Sequence, residues 1–149
     1  MTVPAPVSHA VEKMQEWLKE LRDKGGLADE AAAYSVLRSV LHRLRDRLTV
    51  EEAVDLSAQL PLMVRGLYFE GWRPSKVPSK VRTAREFVDE LSEELLPYTY
   101  PIEQAVRDVF ALLAHHCDPN EISNVINQLP AGIKKLWPET ALPNRYKTS

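Results

Sequence analysis

The tetrapeptide Ala58-Gln-Leu-Pro61 returns as Asn127-Gln-Leu-Pro130, with Gln59 and Gln128 standing 69 positions apart. The same offset pairs Leu37 with Val106, Arg38 with Arg107, Val40 with Val109, Leu41 with Phe110 and Leu44 with Leu113. Further on it pairs Leu56 with Val125, Val64 with Ile133, Leu67 with Leu136 and Tyr68 with Trp137. Apolar positions recur as apolar positions at helical spacing, the pattern that two copies of one helical unit produce. Nearer the N-terminus the offset becomes 70, so that Val11, Met14, Trp17, Leu18 and Leu21 match Val81, Ala84, Phe87, Val88 and Leu91. Both sets follow i, i+3, i+6, i+7, i+10, which is one face of an α-helix and needs a neighbour to cover it.

The first copy reads as helices near 8–23, 29–47 and 50–59 and a short one near 61–69. The second reads as helices near 79–95, 101–116, 119–128 and 130–137. Thr49-Val-Glu-Glu52 has the form of a capping box, in which Thr49 accepts an amide hydrogen at N3 and Glu52 reaches back. At the same offset, Asp118-Pro-Asn-Glu121 puts Asp118 at N-cap and Pro119 at N1. Pro61 is expected at N1 of its short helix. Gly25-Gly26 and Pro97-Tyr-Thr-Tyr-Pro101 are the matching first connectors, and Gly71-Trp-Arg-Pro-Ser-Lys-Val-Pro78 joins the copies as a loop. A single unit of about 65 residues buries little apolar surface by itself. The expected architecture is therefore one all-α domain over 8–138, a helical bundle of two tandem repeats (8–72 and 79–138, joined by loop 71–78). About four helices in each are related by a pseudo-two-fold axis. Residues 1–7 are expected to be disordered and 139–149 to form a tail.

The run Ala58-Gln-Leu-Pro61, then Arg65-Gly-Leu-Tyr-Phe-Glu-Gly-Trp72, then Thr83-Ala-Arg-Glu-Phe-Val88 resembles the DUF2267 family of bacterial proteins, over roughly residues 9–138. The resemblance implies an all-helical fold and a bacterial or archaeal cytoplasmic setting. It implies no catalytic residues.

Composition narrows the function classes. Hydrophobic residues at 44% and charged residues at 27% argue against disorder throughout the chain. A net charge of −2 supplies no strong field for nucleic acid or an anionic membrane. The lone cysteine, Cys117, excludes an internal disulfide and a Cys-rich metal site. The N-terminal stretch lacks a charged n-region and an apolar h-region, which argues against a signal peptide and for a cytoplasmic location.

Candidate sites remain. Tyr68, Phe69 and Trp72 lie between and beside Gly66 and Gly71 at the junction of the copies, followed by Arg73. Such aromatics either anchor a protein partner or plug the junction. Arg73, Lys76, Lys80, Arg82 and Arg85 form a basic run that suits single-stranded nucleic acid or, more simply, a solvated loop. His115-His116-Cys117-Asp118 gathers four ligand types, yet adjacent histidines on a helix point about 100° apart and rarely share an ion. Glu12, Glu16 and Glu20, and Asp89, Glu90, Glu93 and Glu94, read as solvated helix faces, since no Glu-x-x-His pair accompanies them. Catalytic, cofactor and metal motifs are therefore not expected. The function expected is a non-enzymatic protein-binding, adaptor or self-associating module centred on Tyr68, Phe69, Trp72 and Arg73. The alternatives are a small-molecule carrier or enzyme with a pocket between the repeats, and weak nucleic-acid binding through 73–85.

Overall fold

The computed structural model describes residues 2–95 and 101–143. Among these residues the chain forms eight α-helices and two 3-10 turns and no strand, the all-α class expected. In chain order they are α1 (Ala5–Gly25), α2 (Glu30–Asp46), α3 (Val50–Ser57) and α4 (Leu62–Phe69), then α5 (Ala84–Glu94), α6 (Ile102–His116), α7 (Pro119–Gln128) and α8 (Ala131–Lys134).

Local chemistry explains the helix ends. Asp29, Thr49, Thr83 and Asp118 each accept a backbone amide hydrogen in the first turn of α2, α3, α5 and α7, at 2.7–3.2 Å. Each such cap is worth about 1 kcal/mol. Gly26, at φ 62°, closes α1 in the left-handed conformation that glycine adopts without strain. Pro61 and Pro130 take the N-cap place of α4 and α8, one residue earlier than the N1 position expected for Pro61.

α8 stops at Lys134, short of the expected 137, and three other boundaries differ clearly from the sequence reading. α1 starts at Ala5, since Pro6 in the first turn sacrifices an amide that had no helical partner anyway. α5 starts only at Ala84, although helical spacing suggested 79. The strap before it is instead tied to the end of α2: Ser79 N–H donates to Asp46 O at 2.7 Å, and Arg47 Nε–H to Val81 O at 2.6 Å. Beyond 138 the chain makes a 3-10 turn over Glu139–Ala141, and Ala141 and Leu142 pack on the core. The expected connector Pro97–Pro101, except for Pro101, lies outside the described residues, as do residues 144–149 of the expected tail.

α2 and α6 lie against each other at the centre. α1 packs on α2, α4 and α6; α5 packs on α2, α6 and α8; α3 packs on α7. The core joins Trp17 and Leu21 of α1, Leu37, Leu41 and Leu44 of α2, Phe87 and Leu91 of α5, and Phe110 and Leu113 of α6. Burying each of these side chains contributes about 1.5–3 kcal/mol. Val11 departs from the expected face. It stays 41% exposed while its neighbour Ala10 is buried. No helix among the described residues is long and apolar enough to cross a membrane.

Candidate functional site

The junction aromatics do not form an open platform. Tyr68 is wholly buried and its hydroxyl donates to Ala53 O at 2.9 Å. Tyr68 is thus a core residue and has no surface for a partner. Phe69 and Trp72 are half-buried against the core, with ring centroids 5.2 Å apart, and the Trp72 indole nitrogen is buried too. Among the four predicted residues Arg73 alone is fully out in solvent. The reason is that α4 ends at Phe69 and the chain folds back over its own last turn, Trp72 N–H donating to Phe69 O at 3.1 Å. The basic run Arg73, Lys76, Lys80, Arg82 and Arg85 is exposed, but Trp72 cannot offer it a free stacking face.

What holds the junction was missed from sequence. Arg45, buried on α2, donates to Tyr68 O at 2.9 Å and Glu70 O at 2.8 Å and pairs with Asp46 at 2.9 Å. His42 Nε2 bonds Leu67 O at 2.7 Å, and desolvation pushes its pKa below the usual histidine value. Together they satisfy the carbonyls that α4 leaves open at its C-terminus. The available signal was a His and an Arg at helical spacing on an otherwise apolar face of α2.

The tetrapeptide glutamines act across the α3–α7 contact. Gln59 Oε1 accepts the Asp118 N–H at 3.1 Å, at the head of α7. Gln128 Oε1 accepts the Thr49 N–H at 3.2 Å and the Thr49 hydroxyl at 3.3 Å, at the head of α3. Each glutamine thus supports the start of the other's helix. Glu52 does not reach back to its own cap as the box motif suggests. It receives a long hydrogen bond from Gln128 Nε2 at 3.4 Å and turns to Glu121, its partner at the 69-residue offset. Burial, then hydrogen bonding to Glu121, pushes Glu52 up to about 8.

The histidine pair also departs from expectation. His115 Nδ1 lies 3.2 Å from Glu20 Oε2, and His116 Nε2 lies 3.2 Å from Glu20 Oε1. The two rings lie 4.5 Å apart and tilted at 48°, and one presents its δ nitrogen and the other its ε nitrogen to a carboxylate on the neighbouring helix. Cys117 takes no part. It is buried, and desolvation pushes its thiol up to about 12.

Exposed large apolar side chains occur on α2 and α3 (Tyr34, Val50 and Val54) and, more numerously, around the first turns of α1 and the head of α4. Val3, Val7, Val11, Leu62 and Met63 are 41–65% exposed, and a groove of about 320 Å³ runs between Pro6 and Ala10 on one side and Leu60, Pro61 and Leu62 on the other.

A family model described as "Uncharacterized conserved protein (DUF2267)" matches residues 14–136. The chain belongs to the DUF2267 family. No curated protein matches it. The family match spans the Gln59, Gln128, Glu52 and Glu121 cluster, the junction and both histidines, whereas Val3, Val7 and Val11 precede it.

Proposed function

We propose that this protein is a non-enzymatic helical module that associates with a second copy of itself through the N-terminal half of α1 and the head of α4. One observation carries the reading: Val3, Val7, Val11, Leu62 and Met63 are exposed on or just ahead of these two elements, and Leu62, at 65%, lines a mainly apolar groove between them. Scattered exposed valines are ordinary, but a cluster beside a concavity is the form of an interface. A face that offers both protruding valines and a groove gives each copy a knob and a socket, as a self-complementary two-fold contact requires. The low net charge of −2 adds little repulsion between copies. This moves the binding face away from the junction, where only Arg73 and parts of Phe69 and Trp72 reach solvent.

Within each copy, the reading is of one domain made from two repeats about a pseudo-two-fold axis through the α3–α7 and α2–α6 contacts. The support is reciprocity. Gln59 and Gln128 exchange caps, Glu52 meets its own counterpart Glu121, and the contact of α1 with α6 is matched by that of α5 with α2.

A carrier with a pocket between the repeats has less support. The gap lined by Leu21, Leu27, Val36, Ala105 and Asp108 amounts to about 20 Å³, room for a single water. Multi-angle light scattering at rising concentration tests the main reading. The native chain is expected to dimerise and Leu62→Glu and Val7→Glu to remain monomeric. A native chain that stays monomeric throughout removes self-association. Dimerisation that survives both substitutions places the interface elsewhere.

A further inference from the structure

Glu20 on α1 and His115 and His116 at the end of α6 are used neither by the core nor by the proposed interface. Taking one nitrogen from each ring and one oxygen from the carboxylate, the three donors all lie within 4.8 Å of one another. The two carboxylate–imidazole separations are both 3.2 Å. Zinc bonds of roughly 2.0–2.2 Å in a tetrahedron put neighbouring ligand atoms about 3.3 Å apart. The two imidazole nitrogens reach different oxygens of Glu20, so with one oxygen as ligand one edge is already at the length an ion requires. The other two edges need a small closing movement of His115, the most exposed of the three.

The surroundings favour a cation there. The buried Trp17 indole stacks on the His116 ring at 4.8 Å and 23°, which fixes the plane of that imidazole. α6 ends at His116, so the partial negative charge of its last carbonyls points toward the cluster. The carboxylate comes from a separate helix that packs along α6, so the set is held by tertiary packing. His115 is 64% exposed, leaving one side open to water or an outside ligand.

We propose that Glu20, His115 and His116 form a binding site for a divalent transition-metal ion of the Zn2+ class, with at least one coordination position open. Two imidazoles and one carboxylate select borderline ions over Mg2+ and Ca2+, which take oxygen ligands. The equivalent carboxylate of the other repeat, Glu90, instead pairs with Arg43 at 3.1 Å, so the site is not repeated at the α5–α2 contact.

Calorimetric titration of the untagged full chain with ZnCl2 is the test. One equivalent is expected to bind with micromolar affinity. Glu20→Gln, His115→Ala and His116→Ala are each expected to weaken binding by about tenfold or more, because a two-donor remnant holds the ion poorly. His9→Ala, which removes an exposed histidine elsewhere on α1, should leave it unchanged. Visible absorption of the Co2+-loaded protein should show intense ligand-field bands that Glu20→Gln abolishes. Circular dichroism checks each variant, and the exposed His115→Ala decides if another misfolds. Absence of saturable binding, or equal binding by all three variants, overturns the proposal. So would a loss of binding in His9→Ala.

Discussion

The segments that close the two halves, α4 with its continuation to Trp72 and α8 with its continuation to Pro138, fill the same kind of core slot by different means. In the first, Tyr68 is anchored through its hydroxyl to Ala53 O, and Arg45 and His42 hold the carbonyls behind it. At the 69-residue offset these two positions are Ala114 and Ala111, too short to do the same. The second segment relies mainly on packing: Trp137 stacks on Phe110 at 4.3 Å and 13°, its buried indole nitrogen has no acceptor among the described residues, and one exposed bond, Arg107 Nη1–H to Lys135 O at 3.1 Å, holds the carbonyls behind it. The clasped segment sustains a helix over Leu62–Phe69, and the unclasped one only Ala131–Lys134. One apolar pattern therefore supports two closures, one held by several buried hydrogen bonds and the other mainly by contact.

That comparison is open to direct attack. Tyr68→Ala and Trp137→Ala should each cost about 3–5 kcal/mol in denaturant unfolding, since both empty a large buried volume. A small loss at either position would show that its segment does not close the core. Arg45→Ala should cost about 3 kcal/mol by leaving Tyr68 O and Glu70 O without their donor. The comparison fails if it costs no more than a surface substitution.

The Glu52–Glu121 contact, which the two halves share, gives a pH signature. In the unfolded chain Glu52 loses its proton near 4.5, whereas the folded protein retains it to about 8. Between those values the folded state binds the extra proton, so stability falls as pH rises through the window. Glu52→Gln should remove that fall and stabilise the protein by roughly 1–3 kcal/mol at alkaline pH, with little gain at pH below the window. Urea midpoints across the range would read this, and parallel curves for the two proteins would refute the raised pKa of Glu52.

Smaller effects separate the glutamines. Gln128 serves Thr49 twice and Glu52 once, and Gln59 serves Asp118, so Gln128→Ala should cost about 1–2 kcal/mol and Gln59→Ala about 0.5–1. Equal losses would mean that the extra bonds of Gln128 contribute nothing. Tyr68→Phe, which removes only the hydroxyl, should cost about 1 kcal/mol.

Much of the fold was legible because helical periodicity, caps and prolines act within a few residues. The caps Thr49 and Asp118 and the buried faces around Leu41 and Phe110 follow directly. The repeated Gln-Leu-Pro motif marked an important place without disclosing its job, since Gln59 and Gln128 act on helices that local spacing does not connect to them. Glu52 misled for a related reason. A capping box assumes that the side chain turns back on its own helix, but Gln128 and Glu121 arrive from α7 and compete for it.

By itself, the sequence determined which stretches are helical, where most of them start, and which faces seek cover. Those properties depend on φ/ψ preference, nearby capping atoms and the 3.6-residue period. Tertiary structure alone decided that Tyr68 is interior, that burial beside Glu121 raises the pKa of Glu52, and that two histidines meet Glu20 from 95 and 96 positions away. Proximity between distant side chains is a property of how helices dock, and local residue spacing does not encode it.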